Sequence, residues 1–313
     1  MRIVWKYILL VIMLKSNNII GQQTPQFSQY IFNYFAINPA MAGSEDCMNF
    51  SLGYRTQWLN LEGAPKTGFG SFNTQLKLKK NPANRSKHGV GMYVENDVIG
   101  PFARTSINLA YAYHVPITRD INASFGIFAS LHQFKLDASK IELSNINDPL
   151  INGSNNVLIV PDFSPGLFLS HQHWFAGASI KQVARNKWKV AGSNEARNRW
   201  HYYIVGGKRF KMSKINIVPS GMLKYVGFST PSLDLNIMAE LNRLFDVGIG
   251  WRNQDQIGLM FKLKFANYFT LGYSFDYTTS SLRFGSSNTH ELILKISACS
   301  HNKEGIYDCP IFN

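Results

Sequence analysis

The sequence predicts an all-β protein, a transmembrane antiparallel up-and-down β-barrel of about 14 strands with a short N-terminal helical segment. Three observations lead there. The first is two-residue alternation. In residues 269–277, Phe269, Leu271, Tyr273, Phe275 and Tyr277 alternate with Thr270, Gly272, Ser274 and Asp276. Successive strand side chains point to opposite faces, so this stretch has one oily face and one wet face. Residues 257–265 and 245–251 repeat the pattern across short connections, as in an antiparallel meander. The second is the character of the wet face, which carries Gly and Ser as often as Lys or Asp, while the oily face is rich in Phe, Tyr and Leu. That suits a barrel with lipid outside and a polar interior better than a soluble sandwich. The third is the phase of the connections: the long ones follow the fifth, seventh and thirteenth predicted strands, whereas even-numbered ones are short apart from the turn at 79–87. Outer-membrane barrels keep short turns in the periplasm and long loops outside.

Taken in order, residues 1–21 read as a secretory signal peptide. Arg2 and Lys6 give the basic start, and the apolar centre at 8–14 is too short to span a bilayer as a helix. Cleavage is expected near Gly21–Gln22. Past residue 21 no run approaches the roughly 20 apolar residues of a membrane helix. An exported chain with amphipathic strands and no helical span is expected in the bacterial outer membrane. Residues 22–48 are expected to form an N-terminal periplasmic segment. Thr24-Pro25 is a helix start and Asn38-Pro39 a stop, so a short helix over about 25–35 would group Phe27, Tyr30, Ile31 and Tyr34. It could lie in the barrel mouth or along its periplasmic rim.

The barrel is expected over 49–297. Predicted strands cover 49–58, 66–76, 88–94, 103–115, 121–134, 164–170, 174–181, 200–209, 215–225, 233–241, 245–251, 257–265, 269–277 and 290–297. In the fourth, Ile107, Leu109, Tyr111, Tyr113 and Val115 share a face opposite Ser106, Asn108, Ala110, Ala112 and His114. The longest irregular stretches are 135–163 and 182–199. Residues 298–313 are expected to form a C-terminal periplasmic tail.

Composition narrows the function. The net charge of +13 (32 Lys+Arg, 19 Asp+Glu) falls to +10 without Arg2, Lys6 and Lys15. In an exported protein this favours anionic lipid headgroups or an acidic partner over nucleic acid. Mean hydropathy is −0.12, no objection to a barrel, in which only alternate strand residues need be apolar. Of the cysteines, Cys299 and Cys309 are the expected disulfide, closing a short loop, with Cys47 free or bonded to a partner; three unpaired thiols is an equal alternative. His171 and His173 form a close pair in a predicted turn with no third ligand nearby, so no metal is expected. The Asn-rich stretch 145–156 lacks calcium-loop spacing. His114 and His132 are expected in the lumen, yet no Ser-His-carboxylate set can be identified, and no glycine-rich nucleotide motif occurs. No enzyme activity and no cofactor are expected. Asp234, Glu240, Asp246, Asp276, Lys224, Lys262, Lys264 and Lys295 are expected inside, and such opposed charges suggest a filled lumen.

Residues 26–33, Gln-Phe-Ser-Gln-Tyr-Ile-Phe-Asn, followed by Asn-Pro-Ala-Met-Ala-Gly at 38–43, resemble the N-terminal signature of the PorP/SprF family. Weaker similarity covers 273–280, His290-Glu291-Leu292 and the closing Cys309-Pro310-Ile311-Phe312. The resemblance implies an outer-membrane component of type IX secretion or gliding motility. Such a component helps deliver or anchor a large adhesin-like protein at the cell surface and engages periplasmic parts of the machine. On the topology, the long external loops would hold the secreted partner. The N-terminal segment (Phe27, Tyr30, Phe32, Asn33, Asn38, Pro39) and the tail (Cys309, Pro310, Phe312) would meet periplasmic partners. The rival expectation is a porin or uptake channel.

Overall fold

The computed structural model describes residues 24–76, 86–140, 157–187, 197–213, 215–227, 229–241, 244–253, 255–266 and 268–299. Fourteen antiparallel barrel strands follow one another: β1 (Cys47–Thr56), β2 (Lys66–Leu76), β3 (Lys87–Ile99), β4 (Phe102–Pro116), β5 (Asn122–Leu136), β6 (Val157–Ser170), β7 (Trp174–Lys181), β8 (His201–Lys208, resuming after Arg209 as Phe210–Lys211), β9 (Asn216–Val226), β10 (Ser232–Glu240), β11 (Phe245–Arg252), β12 (Gln256–Phe265), β13 (Phe269–Thr278) and β14 (Thr289–Cys299). Each pairs with its neighbours in sequence. The last pairs with the first from Cys47 opposite Cys299 to Thr56 opposite His290, and no edge is left. Closure is what the bilayer demands, because an unpaired backbone group has no water to bond there. No described helix is long and apolar enough to cross a membrane.

The alternation reads as predicted, but inverted relative to a soluble protein. On β13, Ser274 and Asp276 are fully buried while Tyr273 and Tyr277 are exposed. On β4, Leu109 is 58 % exposed and Ser106 only 1 %. Apolar side chains therefore face outward around the barrel and the polar set faces in. At the end opposite the Cys47 start of β1, Tyr54, Trp200, Tyr225, Trp251 and Tyr277 are exposed close to the strand ends. They form an aromatic girdle of the kind that marks a membrane–water interface.

Three expectations need correcting. Residues 95–99 belong to β3 and 157–163 to β6, not to connections. Their composition looks loop-like, but Glu95 and Asp97 point into the lumen, where Arg104 and Thr67 pair with them. On β6, Pro161 and Pro165 fall on a strand whose ladder to β7 spans only Gly166–Ser170, so few donors are needed on that side. The short helix over about 25–35 does not form. Three 3-10 turns, Tyr30–Phe32, Tyr34–Ala36 and Pro39–Met41, stand there instead. Asn33, non-helical at φ −145° and ψ 66°, separates the first two, and the Asn38 side chain caps the third through Ala40 N. Finally, Cys47 is disulfide-bonded rather than free. It opens β1 directly opposite Cys299; Cys309 lies outside the described residues.

Candidate functional site

The lumen is where the chain concentrates its polar chemistry, and it is occupied by the chain's own N-terminal segment. Residues 28–30 and 33–43 are buried against the inner wall. The segment begins near the loop end of the barrel, where the Thr24 hydroxyl lies 3.2 Å from the Tyr203 hydroxyl. It descends the interior and enters β1 at the opposite end. The described part of the segment expected in the periplasm is thus inside the barrel, where its 3-10 turns close their own backbone hydrogen bonds and its remaining polar groups bond the wall.

Each turn of the descent is tied to a different sector. Near the top, Arg55 Nη1 donates to Asp276 Oδ2 (3.0 Å), Glu291 Oε2 (2.9 Å) and Ser28 Oγ (2.8 Å). Glu291 accepts the backbone N–H groups of Ser28 (2.9 Å) and Gln29 (3.2 Å), and Ser28 Oγ donates to Asp276. Arg55 and Glu291 are each 1 % exposed. The strands hold these groups in register, with Arg55 directly opposite Glu291 and Glu291 opposite Ser274. A second knot lies on β9–β11. Arg252 grips Asp234 with Nε and Nη2, both at 3.0 Å, and its Nη2 also reaches the Phe27 carbonyl at 3.2 Å. Lys224 bridges Asp234 (2.9 Å) and Gln26 Oε1 (2.7 Å). Planar guanidinium forks suit such bidentate pairing. Asn236 donates to the Tyr30 hydroxyl at 2.8 Å.

Lower down, Asn38 Nδ2 donates to the carbonyls of Leu167 (2.8 Å) and Ala178 (3.2 Å). Ser179 and Lys181 donate to the carbonyls of Ile37 and Ala36. Near the end where β1 begins, a His114 ring nitrogen lies 2.8 Å from the Ala42 carbonyl oxygen. Wall glycines make the groove. A Cβ at Gly126 would sit 2.3 Å from Ala40 N, and one at Gly89 would sit 1.9 Å from the Ala42 oxygen. Between these polar knots, Tyr30, Tyr34 and Phe35 pack on Phe128, Phe168 and Phe175, with ring centroids 5.2 Å (Tyr34–Phe175) and 5.4 Å (Phe35–Phe128) apart. The interior is therefore part polar lattice and part apolar core.

Of the residues expected to meet a periplasmic partner, Tyr30, Asn33, Asn38 and Pro39 are buried in this lattice, and Phe27 and Phe32 pack on its core. The tail residues Cys309, Pro310 and Phe312, like the Asn-rich stretch 145–156, lie outside the described residues. The charges expected inside do pair: Lys262 and Lys264 approach Asp246, Glu240 binds Arg209, and Lys295 binds Glu45. His171 stacks on Trp174, and the His173 N–H donates to His171 Nδ1. Among the described residues no three His, Cys, Asp or Glu side chains gather as metal ligands.

One arrangement escaped the sequence. His132 Nδ1 lies 2.9 Å from Ser106 Oγ, and its Nε2 is 3.5 Å from Asp162 Oδ2. The three come from strands β4, β5 and β6, far apart in sequence. Asp162 Oδ2 lacks hydrogen-bond alignment to the ring, and Ser106 Oγ also accepts from Arg104 Nε. The adjoining cavity, bounded by Thr24, Arg104 and Lys181, measures about 20 Å³, room for a water molecule rather than an acyl substrate. This is a polar wall network, not a formed nucleophilic site.

A family model described as "Type IX secretion system membrane protein PorP/SprF" matches residues 19–296. No curated protein sequence matches significantly. Among solved structures, the CymD monoaromatic hydrocarbon channel aligns with TM-score 0.52 at 12% identity, over 91% of this chain and 96% of that one. The Pseudomonas putida toluene transporter TodX aligns with TM-score 0.53 at 10% identity, over 85% and 93%. At such identities the likeness is one of fold.

Proposed function

The chain belongs to the PorP/SprF family of type IX secretion system membrane proteins, a bacterial outer-membrane β-barrel, and from that premise we propose that it is a non-enzymatic anchoring component. In this reading it reaches the outer membrane after export by a cleaved signal peptide and helps secrete or hold a large adhesin-like protein at the cell surface. The observation that carries the reading is the filled lumen. Wall residues from Glu291 through Arg252 and Leu167 to His114 bond the N-terminal segment, an interior suited to a rigid platform rather than a diffusion path. The connections between β5 and β6 and between β7 and β8, which leave and rejoin the barrel at the end opposite the Cys47 start of β1, serve the secreted partner. With the N-terminal segment inside, contact with the periplasmic machinery falls to the short turns and the tail carrying Cys309, Pro310 and Phe312.

The test is gentle purification from native membranes, with identification of what comes with the barrel, alongside a chain lacking residues 304–313. The proposal expects a large secreted protein and periplasmic machinery with the full chain, and loss of the machinery alone with the shortened one. Planar-bilayer recording separates the rival uptake channel. A filled platform conducts little, and porin-like conductance from the intact protein overturns the anchoring reading.

A further inference from the structure

The connection between β7 and β8 carries cations that the barrel does not use. Lys187 and Arg197 stand directly opposite each other in an isolated antiparallel bridge, steadied by Asn198 N donating to the Asn186 carbonyl at 3.0 Å. Both are exposed, and neither has an ion-pair partner among the described residues. Like charges placed directly across a ladder repel and destabilise the pair. Two opposed, exposed cations held in a bridge present paired positive charge that an anion can occupy. A third cation, Arg185, lies with its guanidinium carbon 5.3 Å from the centre of the Trp200 ring.

The height of this cluster is fixed by its neighbours. Asn186 Nδ2 donates to the Pro161 carbonyl (2.7 Å) and Val183 N to the Phe163 carbonyl (3.4 Å), so the bridge stands against the loop-end part of β6. There Ile159 and Phe163 face outward, Ile159 at 61 % exposure. Trp200 belongs to the aromatic girdle, beside Tyr202, which stacks on Tyr225 with ring centroids 6.0 Å apart. An aromatic girdle sits at the headgroup boundary, with hydrocarbon on one side and water on the other. Cations one step beyond it lie in the layer that holds lipid phosphates, and basic residues there attract anionic headgroups.

We propose that Arg185, Lys187 and Arg197 form a binding site for the phosphate of a lipid headgroup in the leaflet on the loop side. Guanidinium forks match phosphate oxygens bidentately, Lys187 adds a point charge, and the Trp200 face orients Arg185 toward the membrane plane. The proposal rests on the outer-membrane reading but not on the secretion role.

The experiment uses the full-length barrel in nanodiscs doped with bisphosphorylated lipid A, with dephosphorylated lipid A as control, read by Trp fluorescence and by native mass spectrometry of retained lipid. Retention of the heat-modifiable band confirms that each variant is a folded barrel, which keeps a failed barrel distinct from a failed site. Expected is phosphate-dependent binding, weakened by the combined R185Q, K187Q and R197Q change on the order of a hundred-fold, near fivefold per cation, and weakened less by R185K with R197K, which keeps the charge but loses the forks. Equal binding of the dephosphorylated lipid, or an unchanged affinity in the triple variant, overturns the proposal. Inorganic phosphate quenching the signal as strongly without lipid overturns the lipid source. Loss of a co-purifying acidic protein with lipid binding intact reassigns the cluster to that partner and overturns the lipid site.

Discussion

Replacing Arg55 by Met tests whether the N-terminal segment is held by the buried ion cluster. Arg55 is the cation common to Asp276 and Glu291, at 3.0 and 2.9 Å, and all three side chains are almost wholly buried. Met preserves much of the volume but strands two carboxylates beside each other in a site that excludes water. Removing one partner of a buried ion set costs about 3–5 kcal/mol, because the charge left behind is uncompensated. The barrel can relieve that cost without unfolding by letting the top of the segment leave the wall. Glu291 then loses the Ser28 and Gln29 N–H groups it now accepts. Lower anchors remain at Asn38 and Ala42, so release stays local. At 1.4 kcal/mol per tenfold, hydrogen exchange at the Ser28 and Gln29 amides should quicken by at least about a hundred-fold, while amides of Ala40 and Ala42 change little. Adding D276N and E291Q to R55M removes the stranded charges and should restore much of the protection, because a neutral cluster carries no such penalty. The reasoning fails if R55M leaves exchange at Ser28 and Gln29 within about threefold of the native protein, or if the charge-neutral triple variant exchanges as fast as R55M.

Further outcomes follow from the same geometry. G126V puts side-chain atoms where Ala40 N lies 2.3 Å from an added Cβ. It should raise bilayer conductance and protease cutting within 24–43, whereas G68A, whose Cβ meets nothing nearer than Tyr54 Cδ2 at 3.8 Å, should do neither. Non-reducing peptide mapping should find Cys47 joined to Cys299, its partner in register across the closing seam. C47S should lower resistance to thermal unfolding, since tying ends so distant in sequence contributes roughly 5 kcal/mol on the chain-entropy account; a Cys299–Cys309 peptide instead would refute the seam bridge. L109R places a cation on the lipid face mid-strand and should cost about 2–4 kcal/mol, seen as a lower midpoint for refolding into lipid vesicles. No loss of folding there would argue against lipid on that face.

The sequence by itself determined the barrel. A period of two is imposed by strand geometry alone, and the placement of Ser274 and Asp276 on one side and Tyr273 and Tyr277 on the other is readable without coordinates. Loop phase was legible by counting connections along the chain, and the family signature at 26–43 because it is local. The tertiary structure decided what that signature does. Its aromatic spacing suggests a helix, but non-helical Asn33 and a wall lined with Gly89, Gly126 and Gly166 turn it into a strap down the lumen. The partners Arg55, Glu291, Arg252 and His114 lie up to 263 residues from the atoms they bind. The pairing of Ser106, His132 and Asp162 was equally invisible, as was that of Cys47 with the far end of the chain. Side-chain alternation is a property of a single strand, whereas who meets whom across a lumen depends on closure, register and the filling of the enclosed space, which no local pattern encodes.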